Sequence, residues 1–165
     1  MDNAYGNNDL HQEFCHTGPP ESEETVTMDP LFEISIDSDI AVIPDVSARL
    51  EDAMQTCGFS PEAVLDTQLA VEEAVTNVII HGYKGPGGSI GVSCRFHDNI
   101  LEIRITDASP PFDPLSIPEP DTHDAVDERK IGGLGIFLIR RVMDDIIYRY
   151  ENGRNILTLK KNRSE

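Results

Sequence analysis

Apolar and polar residues alternate along Leu31-Phe32-Glu33-Ile34-Ser35-Ile36, a period of two that predicts a half-buried strand. From Val42 to Cys57 the period lengthens. Val46, Leu50, Ala53, Met54 and Cys57 recur at helical spacing, Pro44 sits near a first turn, and Gly58 falls just past the end. Ser60-Pro61-Glu62-Ala63 opens a second helix, with Ser60 as N-cap and Pro61 at the first helical position. This helix is expected to reach about His81 and to stop at Gly82. After the turn Gly85-Pro86-Gly87-Gly88, strands are predicted near Ser89 to Phe96 and Ile100 to Thr106, hinged at His97-Asp98-Asn99.

Regularity then stops. Ala108 to Lys130 carries five prolines and six acidic side chains and is too long for a plain connector, which predicts a lid at about residues 108–131. Beyond Gly132-Gly133-Leu134-Gly135 a third helix runs to about Met143. A last hairpin joins Ile146–Tyr150 to Ile156–Lys160 through Glu151-Asn152-Gly153. The order strand, helix, helix, strand, strand, lid, helix, strand, strand predicts an α+β fold. It would be a two-layer α/β sandwich, with a mixed, mostly antiparallel sheet and the helices on one face. Residues 1–28 hold no Lys or Arg and little apolar content, so a flexible acidic tail is expected ahead of a single domain over residues 29–162.

Charge narrows the function classes. A formal net charge of -17 disfavours direct nucleic-acid binding, which needs clustered Lys and Arg. It suits either plain solubility or an acidic face that meets a basic protein partner. No apolar run approaches the roughly 20 residues of a membrane span. The N-terminus MDNAYGNNDLHQEF lacks the basic-then-apolar order of a signal peptide, so a cytoplasmic location is expected. Cys15, Cys57 and Cys94 are scattered, as reduced thiols are, and the five histidines show no metal-binding spacing.

Three segments carry candidate chemistry. In Glu72-Glu73-Ala74-Val75-Thr76-Asn77, Glu73 and Asn77 are four apart and share a helix face. An amide oxygen there can ligate magnesium, and a carboxylate can take a proton from an attacking hydroxyl; alone, the pair reads equally as a solvated helix face. Thr106-Asp107-Ala108-Ser109-Pro110-Pro111 follows an apolar strand; its aspartate can accept from an amino group, or simply form a turn. Lys130-Ile131-Gly132-Gly133-Leu134-Gly135 opens an amphipathic helix. Its glycines let backbone N–H groups approach phosphate at the positive helix end, or serve as a hinge. The segment has no Gly-Lys-Ser/Thr ending and is not a P-loop.

Together, in this order, the segments resemble the motifs of the Bergerat-fold (GHKL-type) ATPases, and among them those of the anti-sigma-factor serine/threonine kinases. LAVEEAVTNVIIHGY is similar to the N box of that family, ITDASPPFDP to its first glycine box and GGLGIFLIRRVMD to its second. The resemblance spans about residues 30 to 161. It implies a serine kinase that binds ATP and magnesium, phosphorylates an anti-anti-sigma (STAS-type) partner and sequesters a sigma factor, with homodimers known in the family. It implies Glu73 as general base, Asn77 as magnesium ligand and Asp107 as acceptor for the adenine amino group. Gly132, Gly133, Leu134 and Gly135 would hold the phosphates, with Lys130 or Arg129 adding charge near the γ-phosphate. Glu72 should point about 100° away from Glu73. One departure stands out: the family reads Asp-x-Gly where this chain has Asp107-Ala108-Ser109. A side chain at position 109 is expected to crowd the adenine end or to conflict with a positive φ. The alternative reading is a protein-binding module switched by ATP without phosphoryl transfer.

Overall fold

In the computed structural model the described residues are 29–118 and 133–164. The tail expected at 1–28 and most of the lid expected at 108–131 lie outside them. The described chain runs β1 (Phe32–Asp37), α1 (Ile43–Thr56), α2 (Pro61–Asn77), β2 (Ser89–His97), β3 (Ile100–Asp107), α3 (Gly133–Val142), β4 (Asp145–Glu151) and β5 (Arg154–Asn162). The strands form one sheet in the order β1-β2-β3-β5-β4. All four pairings are antiparallel, so the sheet is antiparallel throughout rather than mixed. Beyond that detail, the expected α+β sandwich is what forms.

Alternation places Ile90, Val92 and Cys94 of β2, and Leu101, Ile103 and Ile105 of β3, on the face that meets the helices. Val46, Leu50 and Met54 of α1, Val71 and Val75 of α2, and Ile136 and Ile139 of α3 close over them in a single core. Each such aliphatic side chain removed from water contributes about 1.5–3 kcal/mol, which makes this layer contact the main source of stability.

The helix ends obey local chemistry. Ser60 Oγ accepts from Ala63 N–H at 3.2 Å, as its N-cap role requires. At the end of α1, Phe59 N–H donates to Met54 O at 3.1 Å and Gly58 N–H to Gln55 O at 3.0 Å. With Gly58 at φ 76°, this is a complete Schellman closure.

The end of α2 departs from expectation. Gly82 does not stop the helix. Val78–Tyr83 continues it as a π-helical turn, and the left-handed residue is Lys84, at φ 59°. Gly82 answers a different need, a close approach by Ser109 described below. Helix α3 also starts earlier than its glycines suggest, so that Gly133, Leu134 and Gly135 form its first turn.

Candidate active site

The apolar face of α2 packs on the sheet, and its next face turns towards the start of α3. Gly135 is buried there, and a methyl group at its Cα would fall on Glu73 Oε2 and lie 3.7 Å from Asn77 Nδ2. The i, i+4 pair read from the sequence is therefore brought against the glycine-rich helix start. Glu72 points elsewhere: Ser47 Oγ of α1 donates to its Oε1 at 2.5 Å. The helical register expected for the two glutamates is the one found.

Asn77 carries an unmet requirement. The Nδ2 end of its amide is buried and has no hydrogen-bond partner among the described residues. Such an atom costs about 1–3 kcal/mol, and a ligand is a common reason for tolerating it. The two ends of an amide exchange by a half-turn, so the same position can present oxygen to a cation. An amide oxygen beside a carboxylate is a hard donor set that fits magnesium.

Beside this corner lies a pocket partly open to solvent, which Asn77 itself lines. Ala74, Val78, Ile136 and Leu157 give it apolar walls, and Asp107 and Ser109 stand at its polar end. Apolar walls with a carboxylate among them suit, by their chemistry, an apolar heterocycle that carries an N–H donor on its edge.

Asp107 closes β3, and its register partner on β5 is Asn155. Three donors converge on Asp107 Oδ1: Ser109 N–H at 2.9 Å, Ser109 Oγ–H at 2.5 Å and Asn155 Nδ2–H at 2.9 Å. Asn155 is itself fixed, because its Oδ1 accepts from Tyr148 O–H at 2.7 Å and from Phe112 N–H at 3.2 Å. Burial pushes the Tyr148 phenol above its ordinary value; the backbone of Phe112 opposes the shift, and the carboxylates of Asp113 and Asp107 add to it. Tyr83, at the end of the π-helical turn, binds the same corner from the other side. Its hydroxyl accepts from Ala108 N–H at 2.9 Å and donates to Ser89 O at 2.8 Å.

Ser109 is not at positive φ, so the backbone accepts a side chain there without strain. The residue is 4% exposed, its hydroxyl turned onto Asp107. Space comes from Gly82, where an added Cβ would lie 2.6 Å from Ser109 Oγ and 3.1 Å from its Cβ.

Of the residues singled out by sequence, Glu73, Asn77 and Gly135 meet at one corner, and Asp107 lines the same pocket as Asn77. Gly133 and Leu134 precede Gly135 in the α3 first turn, where backbone N–H groups have no intrahelical acceptor. Lys130, Arg129 and Gly132 lie outside the described residues. Sequence reasoning missed Asn155, Tyr148 and Tyr83. Asn155 had one available signal, a polar residue at the core-facing step of the series Asn155, Leu157, Leu159.

Comparison with known proteins bears on this arrangement. Residues 36–161 match the family model of the histidine kinase-like ATPase domain. The chain is 37% identical over 108 residues to the serine-protein kinase RsbW of Listeria monocytogenes serovar 1/2a, covering 62% of this chain and 69% of that protein. With the RsbW of Bacillus thuringiensis strain Al Hakam it shares 31% identity over 130 residues, covering 73% and 76%. The fold is similar to that of a crystal structure of the RsbU and RsbW domains of a Mycobacterium tuberculosis protein, with TM-score 0.59 and 18% identity. That superposition covers 82% of this chain and 32% of the larger one.

Proposed function

Since the chain belongs to the histidine kinase-like ATPase family, in the group of the RsbW anti-sigma serine-protein kinases, we propose that it binds ATP with magnesium and phosphorylates a serine of a protein partner. The observation that carries the proposal is the meeting of Glu73 and Asn77 at Gly135, beside a pocket that ends on Asp107.

In this reading adenine enters the pocket and its amino group donates to Asp107. The triphosphate runs towards the first turn of α3, where Gly133, Leu134 and Gly135 offer backbone N–H groups. Gly132, with Lys130 or Arg129, would complete the phosphate cradle. Asn77 would hold the magnesium ion, whose chemistry is to neutralise charge on the phosphate oxygens. Glu73 takes the proton of the serine hydroxyl as its oxygen bonds to the γ-phosphorus and the bond to the ADP oxygen breaks. Phosphoryl transfer is largely positioning and charge neutralisation, so this sparse set of side chains suffices.

The partner chemistry follows from the group. The acceptor would be an anti-anti-sigma protein of the STAS type, and the held target a sigma factor, which the unphosphorylated antagonist displaces. Residues 108–131 would act as the lid. Cytoplasmic residence fits both partners, and no helix among the described residues is long and apolar enough to cross a membrane.

Single-turnover transfer of labelled γ-phosphate to a small antagonist domain from the same organism tests the proposal. Label on a serine, dependent on magnesium, is the expected result. No transfer to any candidate, with ATP still altering sigma-factor binding, would replace the kinase by an ATP-operated binding switch.

A further inference from the structure

We propose that Ser109, seated on Gly82, is a positioning residue that makes the pocket select for an exocyclic amine on the base. The inference rests on the ATP reading above and adds to it a determinant of base selection.

A carboxylate oxygen has two lone pairs, and Asp107 Oδ1 already faces three donors, two of them from Ser109. That oxygen is saturated. Oδ2 is left as the acceptor that can answer a ligand, and it can answer only a donor. The amide of Asn155 cannot turn round to offer its oxygen instead, because Tyr148 O–H and Phe112 N–H hold that oxygen in place. The second Asn155 hydrogen is engaged as well, with Ser109 O at 3.1 Å. Among the described residues the result is a polar end whose vacant function is acceptance of an N–H from a base edge.

Ser109 can do this because of Gly82. The hydroxyl lies where any side chain at position 82 would begin, so glycine at 82 and serine at 109 form a complementary pair. With serine at 109, the hydroxyl adds a charge-assisted donor to the backbone N–H. It fixes the rotation of the carboxylate before a ligand arrives, and such a bond is roughly twice as strong as a neutral one. Crowding expected from the side chain is thus absorbed at Gly82, and the serine works for the site.

The test compares ATP with purine riboside triphosphate, which differs only in lacking the 6-amino group, by calorimetry on wild type and three variants. Wild type should prefer ATP. Ser109→Ala keeps the Cβ, removes the hydroxyl, and should weaken ATP about tenfold while leaving the analogue nearly unchanged. Gly82→Ala should lose the preference too, because its methyl displaces the hydroxyl. In Gly82→Ala/Ser109→Gly the collision is gone, so the melting temperature should recover while the preference does not. Equal weakening of both nucleotides in Ser109→Ala, or an unchanged preference, would overturn the positioning role and leave the kinase reading standing. A wild type that binds neither nucleotide would overturn both.

Discussion

Gly135 and Glu73 are complementary across the α2–α3 contact: the carboxylate occupies the space that any side chain at residue 135 would need. Helix propensity alone argues for alanine at this position, by up to about 1 kcal/mol over glycine. The obstacle is the flexible end of a side chain, which can swing away without unfolding the helix. Gly135→Ala is therefore expected to keep or raise the melting temperature while displacing Glu73. Phosphoryl transfer should fall by roughly 10²-fold, the lower end of what a positioned base contributes. Calorimetric melting and single-turnover transfer on the same sample check the opposition, and a fall in both would mean that the glycine serves only packing.

Glu73→Gln preserves size and helix propensity but cannot take a proton. ATP should still bind, and transfer should drop by about 10² to 10⁴. Glu72→Gln is the matched control, because residue 72 faces Ser47 of α1 and its amide oxygen can still accept that hydroxyl. Comparing transfer rates of the two variants checks the assignment, and a dead Glu72→Gln would move the base to the other glutamate.

Asn77→Ala removes a buried amide atom that has no partner among the described residues. Such an atom costs about 1–3 kcal/mol, which offsets the packing lost with the side chain. The expected outcome is an unchanged or higher melting temperature together with loss of magnesium-dependent ATP binding. A thermal shift series with and without magnesium and ATP separates the two effects. Retained nucleotide stabilisation would remove Asn77 from the site.

Cys94 supplies a pH test. Burial, reinforced by the neighbouring Cys57, pushes its thiol from an ordinary 9.0 up to about 12. The folded-state value is raised, so the folded chain retains a proton that the unfolded chain loses. Stability from this group is intact below pH 9 and declines above it, by roughly 1.4 kcal/mol per pH unit towards pH 12. Urea unfolding midpoints measured from pH 8 to pH 10.5 should fall more steeply for wild type than for Cys94→Val. Parallel slopes would mean that the thiol titrates normally in the folded chain.

Arg163 ties the end of β5 to two distant turns. It donates to Cys57 O at 2.8 Å and to Asn99 Oδ1 at 2.5 Å, with its guanidinium 5.2 Å from the Phe96 ring centroid. Arg163→Ala should lower stability by about 1–2 kcal/mol through these lost contacts. The pocket lies elsewhere, so nucleotide affinity should not move. Chemical denaturation checks the first expectation and calorimetry the second.

What could be read in the chain alone was whatever short-range spacing controls. Glu73 and Asn77 share a face because four residues make about one helical turn, and Ser60, Pro61 and Gly58 mark helix ends by their own backbone preferences. The core was legible in the alternation of β2 and β3. The end of α2 was not: Gly82 looks like a stop, and the reason for it, Ser109, is 27 positions on and meets it only in the fold. Asn155 escaped for the same reason, being 48 residues from Asp107 and its neighbour only through the β3–β5 register. The start of α3 was read three residues late because glycine is a poor helix former. The close contact with Glu73 is what makes glycine the residue that fits there.

The strand order carries a consequence for how the molecule comes into being. β5 is the last strand of the described chain, yet it lies inside the sheet, between β3 and β4. During synthesis, at roughly 5–20 residues per second, β1, β2 and β3 can pair as they emerge, but β3 keeps an open edge until residues 154–162 leave the ribosome. Asp107 has no Asn155 beside it until then. A nascent or truncated chain that ends before β5 would hold Glu73 and Asn77 on a formed helix while the end of the pocket stayed unbuilt. On the ATP reading proposed above, nucleotide capture would wait until this last strand has docked beside β3.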